Sequence, residues 1–170
     1  MQISRRVAMT AAAAAISVAA IAPARADGIT INVSLWDKGD ASFDLMDKNG
    51  PMLIGATSAD QLTDAPMGVT LDQGVVKAGE ITFNVTNTSE SMVHEMVISP
   101  LPDPVAGLPY SAEDDEVNED AAGSPGEVEE LDPGTSGKLT LRLEPGTYAL
   151  YCNVPGHYAM GMWAILTVQG

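Results

Sequence analysis

The stretch Tyr151-Cys152-Asn153-Val154-Pro155-Gly156-His157-Tyr158-Ala159-Met160-Gly161-Met162-Trp163 holds the only cysteine of the chain and one of its two histidines. Its spacing is Cys-x₄-His-x₄-Met. Upstream, Glu144-Pro145-Gly146 is a turn, and the apolar run Gly146 to Cys152 reads as a strand. Pro155-Gly156 then turns the chain and sets His157 on the bend, and Met162 to Val168 returns as a second strand. Cys152, His157 and Met162 therefore project from one end of one hairpin. The other histidine, His94, lies in the apolar run Met92 to Ile98, which is bounded by Ser and Pro and reads as another strand.

Outward from the hairpin the same pattern continues. Ile29 to Trp36 alternates, with Ile29, Ile31, Val33 and Leu35 on one face and Thr30, Asn32 and Ser34 on the other. Glu80 to Thr88 repeats this with Ile81, Phe83 and Val85, after a turn at Val76-Lys77-Ala78-Gly79. Lys138 to Leu143 places Leu139, Leu141 and Leu143 on one side. Short strands with frequent turn signals predict an all-β sandwich. Trp36, Phe83 and Trp163 are expected in its core. Ser58-x-x-Gln61 is a capping box for one helical turn. Residues 100–133 differ, with eleven acids and no base. That composition reads as a solvated acidic loop inserted in the domain, with Ser111 as the cap of a short helix over Ala112 to Ala121.

The chain has 170 residues, 45% of them hydrophobic, and a formal charge of −15. That is one domain with enough apolar material for a core. One cysteine excludes an intramolecular disulfide, a Cys₄ zinc site and iron–sulfur clusters. Two histidines exclude a His₃ zinc centre. With 23 acids against 8 bases, phosphate would be repelled, so nucleic acid is not an expected partner. Residues 1–26 read as an export signal: Arg5-Arg6, an alanine-rich apolar run from Val7 to Ala22, and Ala24-Arg25-Ala26 as the cleavage site. Ser4-Arg5-Arg6 resembles a twin-arginine signal. Cleavage after Ala26 would leave 27–170 as a single periplasmic domain, three charges more negative.

A lone cysteine is ordinarily an inert small hydrophobe, and a lone strand histidine is ordinarily structural. Here the one Cys and both His fall into one ligand pattern with a Met at a fixed offset. Thiolate and thioether suit copper(I), and imidazole suits copper(II), so such a set serves both oxidation states. Zinc would accept the Cys and His but gain little from the Met. A bound metal also accounts for an unpaired thiol in an oxidising compartment.

With His94 upstream, the Cys-x₄-His-x₄-Met segment resembles the type 1 copper site of the cupredoxins, or blue copper proteins. The wording is nearest the rusticyanin-, auracyanin- and plastocyanin-like members. Asn84-Val85-Thr86-Asn87-Thr88 before the His strand fits the same family. The resemblance runs from about Gly68 to Gly170. It implies a Greek-key β-sandwich binding one type 1 copper, with His94, Cys152 and His157 as equatorial ligands and Met162 as the axial one. Met160 is the rival for the axial place and otherwise joins an apolar rim. Many members carry an Asn after the first His that fixes the ligand loop, and Glu95 stands there instead. The family implies an electron carrier, not an enzyme, with no small-molecule substrate. The expected form is a monomer that docks a redox protein, such as a basic c-type cytochrome, through its acidic surface. Tyr158 is a candidate for that docking patch with Pro155, Ala159 and Met160. The alternative is a periplasmic copper-binding protein for tolerance, storage or delivery.

Overall fold

A computed structural model describes residues 28–170; the expected export signal lies outside the described residues. In chain order the elements are β1 (Ile29–Asp37), α1 (Ala41–Asn49), α2 (Ala59–Leu62), β2 (Met67–Leu71), β3 (Val75–Lys77), β4 (Gly79–Asn87), β5 (His94–Pro100), β6 (Tyr110–Ser111), β7 (Glu116–Val117), α3 (Glu119–Ala122), β8 (Gly126–Leu131), β9 (Ser136–Leu143), β10 (Gly146–Tyr151) and β11 (Trp163–Gln169). A 3₁₀ turn spans Tyr158–Met160. The strands form a sandwich of two sheets, ordered β2-β1-β4-β9 and β3-β11-β10-β5-β8, with β6 and β7 as a separate ribbon.

The alternating strands bury the faces the sequence predicts. Ile31 and Leu35 of β1 and Ile81, Phe83 and Val85 of β4 are wholly buried. They share one core with Met96, Ile98, Leu150 and Leu166 from the other sheet. The outer face of the first sheet is polar and self-bonded across strands, with Thr82 to Thr140 and Thr86 to Ser136 hydroxyl contacts of 2.9 Å each. The second sheet is covered on both faces. Val97, Ala149 and Tyr151 point away from the main core into a second cluster with Ile54, Leu101, Leu108, Val117 and Tyr158. Double coverage explains why Met96-Val97-Ile98 runs apolar without alternation.

Four expectations are corrected. The acidic segment is not a detached loop: β8 pairs antiparallel with β5 and forms the edge of the second sheet. Its helix is α3, capped by Asn118, whose Oδ1 accepts from Ala121 N–H at 2.9 Å. Ser111 is bonded instead to the Asp114 carboxylate. Val76 and Lys77 belong to β3, parallel to β11, so the turn narrows to Ala78. Trp36 and Trp163 are only half-buried, and each spends its indole N–H on a neighbour, Thr70 Oγ1 and the Met52 carbonyl. Phe83 alone of the three lies wholly in the core.

Because Phe83 sits at the centre of β4 with neighbours from both sheets, Phe83→Ala should cost about 3–5 kcal/mol. Chemical denaturation would show this as a lower midpoint with an unchanged slope.

Candidate metal centre

His94 opens β5, where its whole side chain is buried. The approach to it is fixed by Asn87, itself fully buried at the end of β4. Asn87 Nδ2 donates to the Met92 and Leu131 carbonyls at 2.8 Å each, and its Oδ1 accepts from Ser89 N–H. Cys152 follows β10 directly and is wholly buried. The loop beyond it is closed by main-chain bonds: Cys152 N–H to the Met162 carbonyl at 3.1 Å, His157 N–H to Val154, and Met162 N–H to His157. Gly156 and Gly161 make the two left-handed turns this loop needs, with φ of 85° and 87°.

The folded loop brings three donors together. Cys152 Sγ lies 3.3 Å from His157 Nδ1 and 3.9 Å from His94 Nδ1, and the two Nδ1 atoms are 3.2 Å apart. Metal–nitrogen and metal–sulfur bonds of ~2.0–2.3 Å leave donor separations of this size. His94, Cys152 and His157 are thus one potential ligand cluster. Met162 is fully buried in the same core as Cys152, held by its main chain against both Cys152 and His157. Met160 lines a surface groove with Pro51, Tyr110, Asp115, Pro155 and Ala159. His157 is partly exposed beside that groove. Tyr158 is not part of the surface. It is 1% exposed, and its hydroxyl accepts from Ile54 N–H.

Glu95 does not point to solvent from a strand edge. Its Oε1 accepts from Asn153 N–H at 3.0 Å, and its own N–H approaches Cys152 Sγ at 3.5 Å. It ties the His strand to the Cys loop. Asn153 extends the tie, accepting from Val117 N–H and donating to the Val117 carbonyl and to Glu119. Sequence reasoning missed a further member of the site, Asp37. Its Oδ2 lies 2.9 Å from His94 Nε2, and the Asp37 side chain is 2% exposed. No local signal marks it, because it is a single acid at the end of a strand.

Burial sets the charge states. It pushes the Cys152 thiol up to about 12, against N–H donors from Glu95 and Val154. Burial, then the neighbouring His94, pulls His157 down to about 4. Burial lowers His94 as well, against Asp37. Both imidazoles are therefore neutral donors near pH 7, and a metal has only the thiol proton to displace. Burial raises the Asp37 carboxyl, but hydrogen bonds from Ser89, His94 and Gly39 outweigh it and keep the group ionised. Burial drives Glu95 up to about 7, reinforced by Glu127 and Glu119.

A model of the copper-binding plastocyanin/azurin family matches residues 57–169. The chain belongs to that family. It is a cupredoxin, and the His94, Cys152 and His157 cluster is its site for one type 1 copper. Rusticyanin from Thiobacillus ferrooxidans is similar in fold, with a TM-score of 0.52 at 15% identity over 85% of this chain and 79% of that one. Auracyanin from the photosynthetic bacterium Roseiflexus castenholzii is 28% identical over 59% of this chain and 88% of that one, with a TM-score of 0.46. No curated protein sequence matches.

Glu95 gives this cupredoxin a testable pH signature. Its folded pKa exceeds its unfolded value, so the folded state holds an extra proton between about 4.5 and about 7. Stability from this group is therefore lost as pH rises through that window. Glu95→Gln keeps the acceptor for Asn153 and removes the charge. Melting curves of the metal-free protein should show wild type and variant alike near pH 4.5. The variant should pull ahead as pH rises to 7 and hold a constant lead above it.

Proposed function

We propose that this cupredoxin is a periplasmic carrier of single electrons between redox proteins. The observation that carries the reading is a donor set fixed by the protein fabric on every side. Cys152 and Met162 are locked by the hairpin main chain, and His94 is held between β5 and Asp37. His157 is held by its own turn. Ligands confined in this way have little room to rearrange between oxidation states, which favours rapid electron exchange over handover of the ion. In this reading His94, Cys152 and His157 would hold the ion, with Met162 as the fourth ligand. Met160 stays in the apolar rim, consistent with its place in the groove.

Bound copper would supply a one-electron Cu(II)/Cu(I) couple. The residues around it set the path. Of the three clustered ligands only His157 belongs to a partly exposed residue, so in this reading the electron leaves on its side. The groove of Pro51, Tyr110, Pro155, Ala159 and Met160 beside it supplies a largely apolar contact, with one carboxylate, Asp115, in its lining. The acidic segment borders that groove. Gly156 N–H donates to the Asp115 carbonyl, and the Asp115 carboxylate takes the Tyr110 hydroxyl at 2.9 Å. Asp103, Glu113, Asp114, Asp120, Glu127, Glu129 and Glu130 are exposed across the same segment. A field of that sign would steer a basic partner, such as a c-type cytochrome, toward His157.

Copper(II) added to the metal-free protein should produce an intense visible absorption that a mild reductant bleaches and reoxidation restores. Cys152→Ser should remain folded and lose the colour. Tight copper(I) binding without reversible cycling would overturn the carrier in favour of copper delivery. Electron exchange with a basic cytochrome should slow as ionic strength rises from 0.01 to 0.15 M, where the screening length falls from about 30 Å to about 8 Å. A rate indifferent to salt would remove the acidic surface from the docking step.

A further inference from the structure

The two ring nitrogens of His94 face in opposite directions. Nδ1 faces the donor cluster, 3.2 Å from His157 Nδ1 and 3.9 Å from Cys152 Sγ. Nε2 faces Asp37 Oδ2 at 2.9 Å. A neutral imidazole carries one N–H and one lone pair. Beside a carboxylate, which only accepts, the N–H must sit on Nε2, and the lone pair is left on Nδ1. That is the tautomer a metal ligand needs at Nδ1.

Asp37 is placed for this rather than brushing past. It ends β1, in register with Met67 of β2. Its other oxygen, Oδ1, accepts from Gly39 N–H at 2.6 Å, and the Ser89 side chain also hydrogen-bonds the carboxylate, while Oδ2 meets the imidazole. The turn after it is pinned by a wholly buried serine. Ser42 Oγ accepts from Lys38 N–H and donates to the Pro66 carbonyl, and Lys38 N–H also donates to that carbonyl. Asp37 also lies outside residues 57–169, the span that matches the family model.

We propose that Asp37 is a positioning residue of the copper centre, whose carboxylate fixes the Nδ1-donor tautomer of His94 and biases the site toward copper(II). The second part follows from charge. A neutral acceptor would fix the same tautomer. A carboxylate does more, because its negative charge, one ring away from the metal, makes the imidazole a stronger donor and stabilises the ion of higher charge. The more positive oxidation state gains most, so Asp37 lowers the reduction potential. The inference rests on the reading of His94 as a copper ligand.

Two measurements test it, one of them without copper. In the metal-free protein, nitrogen-15 long-range correlation spectra should show His94 with its proton on Nε2. In Asp37→Ala that preference should weaken. A wild-type His94 protonated on Nδ1 would overturn the positioning role, whatever copper does. In the copper-loaded protein, Asp37→Asn keeps the shape and an acceptor oxygen but removes the charge. Competition with chelators should show copper(II) affinity falling about tenfold relative to copper(I) affinity, the lower end for a lost outer partner of a metal-bound histidine. For a one-electron couple that ratio is a potential about 59 mV higher. Equal losses for both ions, or an unchanged potential with an unchanged copper(II) spectrum, would overturn the electrostatic role. Failure of the carrier reading is separate: it would show as irreversible cycling in the wild type, with the metal-free His94 tautomer unaffected.

Discussion

The hydrogen bond from Cys152 N–H to the Met162 carbonyl closes the loop on which the rest of this molecule depends. It joins the residue after β10 to the residue before β11, so the nine-residue excursion between them becomes a closed cap on one hairpin. Within that cap, bonds from His157 to Val154, Met160 to Gly156 and Met162 to His157 leave the ligand side chains few alternatives. The hairpin is in turn held from both sides, by β5 along β10 and by β3 along β11. Burial of both faces of that sheet makes the cap a rigid outgrowth of a core and not a mobile tip.

The remaining contacts hold the cap against its surroundings. Met52 N–H donates to the Ala159 carbonyl, and the Met52 carbonyl accepts from the Trp163 indole at 2.7 Å. Ile54 N–H meets the Tyr158 hydroxyl. The chain between α1 and β2 is thus a strap laid over the ligand loop. On the other flank, Glu95 and Asn153 join the His strand, the Cys loop and the acidic segment. Each tie runs from a residue near a ligand to an element distant in sequence. The fold and the metal centre are therefore one cooperative unit.

How legible this was depends on the range of the interaction. The hairpin ligands lie within eleven residues of one another, Cys152 to Met162. Their spacing carries the site on its face, and the alternation of β1, β4 and β9 carries the sandwich. Asp37 is 57 residues from His94. Only the parallel pairing of β1 with β4, and the crossing from β4 to β5, brings it to the imidazole. No periodicity encodes that meeting. The acidic segment was misread for a different reason. Gly126-Glu127-Val128-Glu129-Glu130-Leu131 buries only Val128, so its composition matches a solvated loop. An edge strand tolerates and even favours such charge, because acids on an open edge discourage pairing with a second sheet. Composition therefore reported solvent exposure correctly and secondary structure wrongly. Tyr158 erred in the opposite sense. Its position on a turn beside His157 suggested a surface residue, but the strap over the loop buries it.

The same ties divide the surroundings of the metal centre by charge. Among the described residues, the acids nearest His94 and Cys152 are Asp37 and Glu95, and they act differently. Asp37 is compensated by three hydrogen bonds and remains ionised. Glu95 has one main-chain donor and faces Glu119, Glu127 and Glu130, so its ionised form is disfavoured near neutrality. A full negative charge therefore stands behind His94, while the Cys152 side carries a carboxyl poised near its own titration. The exposed carboxylates lie farther out, where solvent screens them and a partner can meet them. His157 adjoins Gly156, one of the residues that line the groove. That arrangement separates two demands that would otherwise conflict. In the proposed carrier the two are kept apart: the charge behind His94 is buried, and the charge that would steer a partner is exposed on the acidic segment.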